Sequence, residues 1–308
     1  MHRTLEITVP SKFSDTLSQR LLTQESVIGL TLSRGTSLKP PGDTLTVHVL
    51  NRGADEVLEH VSAIIPKDKI SVVTAQADSF IAPDKVETIV NEKDEALWEE
   101  IESGLRHQAR ITLNYLVLMG LGGIIAAIGL VSEPVPQAVA FVGAAIIAPG
   151  FDPAATVSMA LVLRRWPVLG RSLLSALAGY AVLIVLAGLT LYTLVATGAI
   201  PIEDLLHNPE VHRIGKPGLP ELLLSAAGAI AGVLMLAAGR RDFIAGPLVV
   251  LAIIPAAALI GMGLVVGRFE LALQGLERFG ADMGFIIGLG LLVFWLNQRF
   301  VHKRAPLV

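Results

Sequence analysis

Asp152 stands in an apolar run of membrane length, between Pro149-Gly150 on one side and Pro153 on the other. A carboxylate at such a depth must be paired, hydrated or neutralised, which suits binding of a proton or a cation. Each proline removes a backbone donor and clashes with the preceding turn, so an uninterrupted helix is not expected. Freed backbone groups persist in lipid only where protein or a water-filled cavity receives them. Pro149, Gly150, Asp152 and Pro153 therefore form the first candidate for a solute or ion pathway. A structural alternative stands beside it: Asp152 caps a second half-helix whose first residue is Pro153.

A second interrupted segment echoes the first. Ala252-Ile253-Ile254-Pro255 resembles Ala145-Ile146-Ile147-Ala148-Pro149, and Ala258, Met262, Leu264, Val265 and Arg268 match Ala155, Met159, Leu161, Val162 and Arg165 at constant offset. Proline-interrupted helices in corresponding places of two halves are a mark of inverted-repeat transporters, so Pro255 joins the pathway candidates and a 3+3 inverted repeat is an expectation. Asn114 and Tyr115, one turn inside the first span, complete the set, with an interfacial role as their alternative. His207 and His212 share the segment Ile200 to Pro220 with Glu203, Asp204 and Glu210, but their spacing matches no metal-ligand pattern and a polar loop is expected. No phosphate loop, nucleophile elbow or metalloprotease helix is present, so neither an enzyme nor a cofactor is expected.

The elements that must position these residues follow from composition. The 308 residues are 53% hydrophobic and only 17% charged, with a mean hydropathy of +0.64. Charge is concentrated before residue 110; beyond it lie apolar blocks separated by short charged hinges. About six of them reach the ~20 residues of a span: Ile111–Val131, Pro136–Leu163, Leu173–Thr197, Leu219–Ala238, Phe243–Val266 and Met283–Phe300. Arg106, Arg110, Arg164, Arg165, Arg171, Arg240, Arg241, Arg299, Lys303 and Arg304 fall on one side, against Arg213, Lys216, Arg268 and Arg278 on the other. The positive-inside rule then puts both termini in the cytoplasm. Gly228/Gly232 and Gly284/Gly288 have spacings that allow close helix approach, within a bundle or between copies. Asp282 reads as a residue at the start of the sixth helix, and Asp242, Glu221 and Glu270 as carboxylates near membrane ends.

Residues 1–90 read as a soluble domain. Leu5, Ile7 and Val9 alternate with polar residues as in a half-buried strand. A helix follows with Phe13, Leu17 and Leu21 on one face, then strands at Val27 to Leu32 and Thr44 to Leu50, split by the turn-rich Ser33 to Gly42. A second helix carries Val57, Leu58, Val61 and Ile64 inward, and Ile70 to Ala75 is the last strand. The order βαββαβ predicts a ferredoxin-like α+β domain. Residues 91–110 read as a charged stalk helix, acidic early (Glu92, Asp94, Glu95, Glu99, Glu100) and basic late (Arg106, His107, Arg110), running directly into the all-α membrane domain of residues 111–308.

At Ala148-Pro149-Gly150-Phe151-Asp152-Pro153, preceded by Gly129-Leu130 and Gly143, the chain resembles the prokaryotic membrane-protein family called domain of unknown function 389. Members of that family carry a Ser-Pro-Leu-Met-Gly-Pro type motif there and a later Leu-Pro-Pro type motif, matched here by Ile254-Pro255-Ala256-Ala257-Ala258 with Gly261 and Gly263. The chain departs from the pattern at Ala148, Asp152 and Ala256, as a divergent member would. The resemblance implies a short βαββαβ-like region followed by a hydrophobic helical domain, and no particular substrate.

These residues point to a multi-pass protein of the cytoplasmic membrane that moves a small solute or ion past the interrupted helices, with a cytoplasmic domain that regulates it or holds a homo-oligomer together. The alternative is a membrane-anchored sensor or scaffold whose first domain binds a ligand or partner. The lipid bilayer is the expected partner; a net charge of −3 gives no case for nucleic acid. The chain has no cysteine, which excludes disulfides and thiolate chemistry. Met1 to Glu6 lacks the apolar core of a signal peptide, which agrees with a cytoplasmic first domain.

Overall fold

The computed structural model describes residues 2–77, 97–108, 110–238 and 245–300. They divide into two compact units, one holding residues 1–101 with two short later pieces, the other residues 102–236 and 240–297.

In the first unit, β1 (His2–Val9), β2 (Val27–Leu38), β3 (Pro41–Leu50) and β4 (Ser71–Ala77) form one antiparallel sheet in the order β2-β3-β1-β4. β1 is central, with Leu5 opposite Val47 of β3 and Thr74 of β4. Its alternation places Leu5, Ile7 and Val9 at 0–1% exposure beside Leu45, Val47 and Val49. α1 (Ser11–Leu22) and α2 (Asn51–Ile64) close this core with Leu17, Leu21, Val57, Leu58 and Val61, while Phe13 and Ile64 pack at its edge. Each such side chain contributes about 1.5–3 kcal/mol by leaving water.

The segment Ser33 to Gly42 differs from expectation: it extends the two strands, with only residues 39–40 between them. Gly35 takes φ +63° where the register shifts between Ser33 and Ser37, so the turn-forming residues make a bulge within β2. The Asp43 carboxylate fixes that bulge by accepting from Gly35 N–H at 2.8 Å and from the Ser11 and Ser14 hydroxyls at 2.7 Å each. Together these bonds hold the Asp43 carboxyl below its usual range, the Ser14 bond being the largest cause.

α3 (Trp98–Gln108) carries Glu99 and Glu100 in its first turn and Arg106 and His107 in its last. Glu92, Asp94 and Glu95 lie outside the described residues. Within the first unit Glu100 pairs with Arg3, which also binds Asn51. The charged helix does not run into the membrane helices as expected. It ends at Gln108, and Thr112 caps a new helix by accepting from Tyr115 N–H at 3.1 Å.

The second unit contains α4 (Leu113–Leu130), α5 (Pro134–Ile147), α6 (Phe151–Val162), α7 (Trp166–Ala196), the short α8 (Ile202–Leu206) and α9 (Pro209–Gly215), α10 (Leu219–Ala237), α11 (Ala245–Val265) and α12 (Phe269–Phe300). Among the described residues four of these, α4, α7, α10 and α12, are long and apolar enough to cross a membrane, or five spans if the bent pair α5–α6 counts as one. α11 is central: Ile253, Ile254, Ala256–Leu259 and Met262 are fully buried, against α4, α5, α6 and α7. It crosses α7 so closely that a Cβ on Gly261 would lie 1.9 Å from the Ile184 carbonyl oxygen.

Two expectations change in this unit. α11 passes through Pro255 as one helix, so the segment expected to be interrupted there is continuous. α12 begins at Phe269, well before Met283, and its 32 residues place Arg278 and Asp282 in the helix interior. Arg278 is therefore no loop cation, and Asp282 opens no helix. Arg240, Arg241, Asp242, Lys303 and Arg304 lie outside the described residues.

Candidate functional site

The break in the apolar run has a local cause. Proline disfavours helical backbone in the residue before it, and Ala148 takes the extended pair φ −85°, ψ 116°. The helix resumes at once, with Gly150 at the N-cap position and the two halves bent by 48°. Asp152 is therefore the second residue of α6 and Pro153 the third, each two positions further into the helix than the capping scheme required. No side-chain bond caps α6. Asp152 sits half-buried in the first turn, where a carboxylate is favoured by the helix dipole, and its carbonyl accepts from Thr156 Oγ1 at 2.6 Å.

The break lies inside the bundle, and the packing against it is close. A Cβ on Gly122 of α4 would come within 2.6 Å of the Ala148 side chain. The Phe151 ring covers Gly232 of α10, and Ser158 of α6 covers Gly290 of α12. Ser158 Oγ also donates to the Ile287 carbonyl at 3.2 Å.

Two tyrosine hydroxyls converge on this point. A Cβ on Gly150 would lie 2.4 Å from Tyr180 Oη, and one on Gly179 would lie 2.2 Å from Tyr115 Oη. Glycine at both positions is what lets the hydroxyls approach the backbone. Tyr115 Oη donates to the Ser175 carbonyl at 2.9 Å and feels the charge of Asp152. Tyr180, 3% exposed, stands edge-on to Phe279 at 4.7 Å between ring centroids and lies within electrostatic reach of both Tyr115 and Asp282.

Behind Tyr180 is an ion pair. Arg278 Nε donates to Asp282 Oδ2 at 3.0 Å, and Arg278 Nη2 donates to Ser225 Oγ of α10 at 2.8 Å. Arg278, Asp282 and Ser225 are 6%, 0% and 2% exposed. Three atoms of the group have no hydrogen-bond partner among the described residues: Tyr180 Oη, Arg278 Nη1 and Asp282 Oδ1. Buried polar atoms are nearly always paired, so these three single out this part of the bundle as the candidate site.

The residues singled out in the sequence separate accordingly. Gly150, Asp152 and Tyr115 come together around the break, with Pro149 half-buried at the bend and Pro153 buried in α6. Asn114 points outward, exposed beside the inward Tyr115. Pro255 is buried within α11. Tyr180 and Ser225 escaped sequence reasoning, and Arg278 and Asp282 were read there only as a hinge cation and a residue at a helix start. The usable signal was the spacing of Arg278 and Asp282, four apart and so on one helix face.

At the other end of this unit, Asn208 caps α9 by accepting from Glu210 N–H at 2.9 Å and donates to the Leu130 carbonyl at 3.0 Å. Glu133, Glu203, Asp204 and His207 line an open cleft there of about 390 Å³. Among the described residues no group of three or more His, Asp or Glu could hold a metal ion.

Residues 145–288 match a family described as a domain of unknown function (DUF389). The resemblance read from the motifs at Pro149 and Pro255 thus holds over this stretch, which contains every polar residue of the site except Tyr115. An uncharacterized protein of Methanocaldococcus jannaschii is 20% identical over 249 residues, covering 80% of this chain and 74% of that protein. No solved structure matches the chain significantly.

Proposed function

Starting from a chain that carries the DUF389 domain over residues 145–288, we propose an integral membrane protein that transports or conducts a small solute or ion past the α5–α6 break. The observation that carries this reading is the set of buried polar atoms on Tyr180, Arg278 and Asp282 that have no partner among the described residues, beside a broken helix in a largely apolar bundle. Polar and ionisable groups inside a membrane are costly, and they recur where a pathway needs them. Irregular backbone at that depth is tolerated where it faces protein or a water-filled cavity.

Several features support the wider arrangement. The strand order β2-β3-β1-β4 in a βαββαβ chain favours a ferredoxin-like domain, which in this reading regulates transport or holds a homo-oligomer together. Counting the bent pair and α11 with the four long apolar helices gives six spans. With an even number of spans the termini share one side, and the arginines at 106, 110, 164 and 165 favour the cytoplasm of a cell bounded by that membrane. An inverted repeat rests on the sequence echo alone, since α11 is continuous through Pro255.

Reconstitution of the full chain into liposomes tests the reading. Flux of an ion or small solute above that of protein-free liposomes, lost in Asp152→Asn, is the expected result. Flux that never exceeds the protein-free level for any solute class would favour a sensor or scaffold.

A further inference from the structure

One carboxylate joins two arginines at the turn between α6 and α7. Glu102 of α3 is 4% exposed, and its Oε1 lies 2.8 Å from Arg106 Nη2 and 3.7 Å from Arg165 Nε. The two guanidiniums thus stand side by side across one oxygen atom. Their side chains are 41% and 29% exposed, so both stay open to an outside partner. Among the described residues neither pairs with another carboxylate, which leaves one positive charge of the pair unbalanced. Arg164, exposed beside Arg165 and paired with no carboxylate among the described residues, adds a second.

The backbone at Arg164 is costly for an arginine. Its φ is +54°, the one positive value outside glycine among the described residues. The turn lets the Arg165 N–H donate to the Ala160 carbonyl at 2.8 Å, a helix stop at which glycine is the usual residue. An arginine held there against its backbone preference points to a use for its charge.

Depth says what the charge meets. α7 is long and apolar enough to cross a membrane. Trp166 at its start and Tyr192 near its end are 65% and 61% exposed, and at 1.5 Å per residue they lie about 39 Å apart. A bilayer with its headgroups is ~40–45 Å thick, and exposed Trp and Tyr favour its two interfaces. Between them α7 exposes Leu173, Leu174, Leu177 and Leu189, a surface suited to acyl chains. The arginines therefore stand at headgroup level, next to Trp166.

We propose that Arg106, Arg164 and Arg165 form a binding site for the headgroup of an anionic phospholipid, whose acyl chains run along the exposed leucines of α7. The guanidinium N–H groups donate to the phosphate oxygens. Glu102 holds two of the guanidiniums in place beforehand, which lowers the ordering cost of binding. A zwitterionic lipid brings the same phosphate with a cation that the excess positive charge repels. Free phosphate would satisfy the arginines and leave Trp166 and the leucines without an occupant. The site rests on the chain spanning a membrane, and not on transport.

Lipid titration of the full chain in detergent tests the site, with native mass spectrometry counting bound lipid and thermal unfolding reporting its effect. Phosphatidylglycerol is expected to bind in preference to phosphatidylcholine and to raise the unfolding temperature more. Arg106→Gln and Arg165→Gln should each lower that preference about fivefold. Each leaves Glu102 one arginine, so the fold is kept. Arg164→Gly should lower the preference as much without lowering the unfolding temperature of the lipid-free protein, because glycine accepts a positive φ. Arg213→Gln, which changes an arginine 68% exposed at the other end of the unit, should leave the preference unchanged. Equal binding of the two lipids, or a preference that survives all three variants, would overturn the proposal. So would inorganic phosphate that reproduces the stabilisation, which would make the ligand a free anion. Liposome flux is read separately: flux without the lipid preference removes this site and keeps transport, and the preference without flux does the reverse.

Discussion

Arg278 and Asp282 pair one turn apart on α12, Nε to Oδ2 at 3.0 Å, with side-chain exposures of 6% and 0%. The pair sits in the first half of α12, and its remaining atoms, Nη1 and Oδ1, have no partner among the described residues. Hydrophobic side chains of similar volume would fill this space without the cost of desolvating two charges. Retaining the pair argues for a role beyond holding α12 in place.

Removing one partner should be costly and removing both should not. Asp282→Asn leaves the guanidinium uncompensated and is expected to lower stability by about 3–5 kcal/mol, whereas Arg278→Met with Asp282→Leu should come close to the wild type. Thermal unfolding of the two variants in detergent measures this directly. A double variant less stable than the single one would assign the pair a structural role.

Gly150→Ala places a methyl group where Tyr180 Oη now lies, 2.4 Å away. Overpacking of this kind costs about 1–3 kcal/mol. The expected signature is rescue: Tyr180→Phe, which removes the hydroxyl, should recover most of the loss in the double variant. A double-mutant cycle on unfolding with no coupling would show that the two residues do not touch.

The first unit should respond to acid at the bulge of β2. Asp43 is held below the usual aspartate value of 3.8 by the bonds from Ser14, Gly35 and Ser11. A depressed folded-state value means stability that is fully present above pH 3.8 and is lost as pH falls through the lowered value. Amide exchange of residues 33–43 in the full chain should therefore accelerate in acid. Asp43→Asn should weaken the hairpin near neutrality and flatten that acid dependence.

The α7–α11 crossing should tolerate no side chain at Gly261. A Cβ there falls 1.9 Å from the Ile184 carbonyl oxygen, a rigid backbone atom, so Gly261→Ala must push the helices apart. A loss of about 1–3 kcal/mol or more in detergent unfolding is expected, against little change for Gly284→Ala, whose added methyl meets nothing within 4 Å.

The sheet was legible because period-two alternation and burial agree at Leu5, Ile7 and Val9, and the first two helices because Leu17, Leu21, Val57 and Val61 repeat at helical spacing. Gly35 misled, since positive φ serves a bulge as well as a turn and only the partner strand decides between them. The break at Pro149 was legible from two prolines and a glycine in an apolar run. Pro255, a lone proline, was not a break, because neighbouring helices can satisfy the one carbonyl it frees. Arg278 and Asp282 were hidden by polarity itself. With Glu277 they lower the local hydropathy enough to look like a loop, and only packing against Ser225 and Tyr180 reveals them as interior.

The most direct test is flux of ions and small solutes into liposomes holding the full chain, driven by an imposed gradient. Wild-type protein should carry an ion or small solute faster than protein-free liposomes, and Asp152→Asn should return the rate to the protein-free level while remaining folded. Equal flux in the wild type and the variant would contradict a pathway through the α5–α6 break.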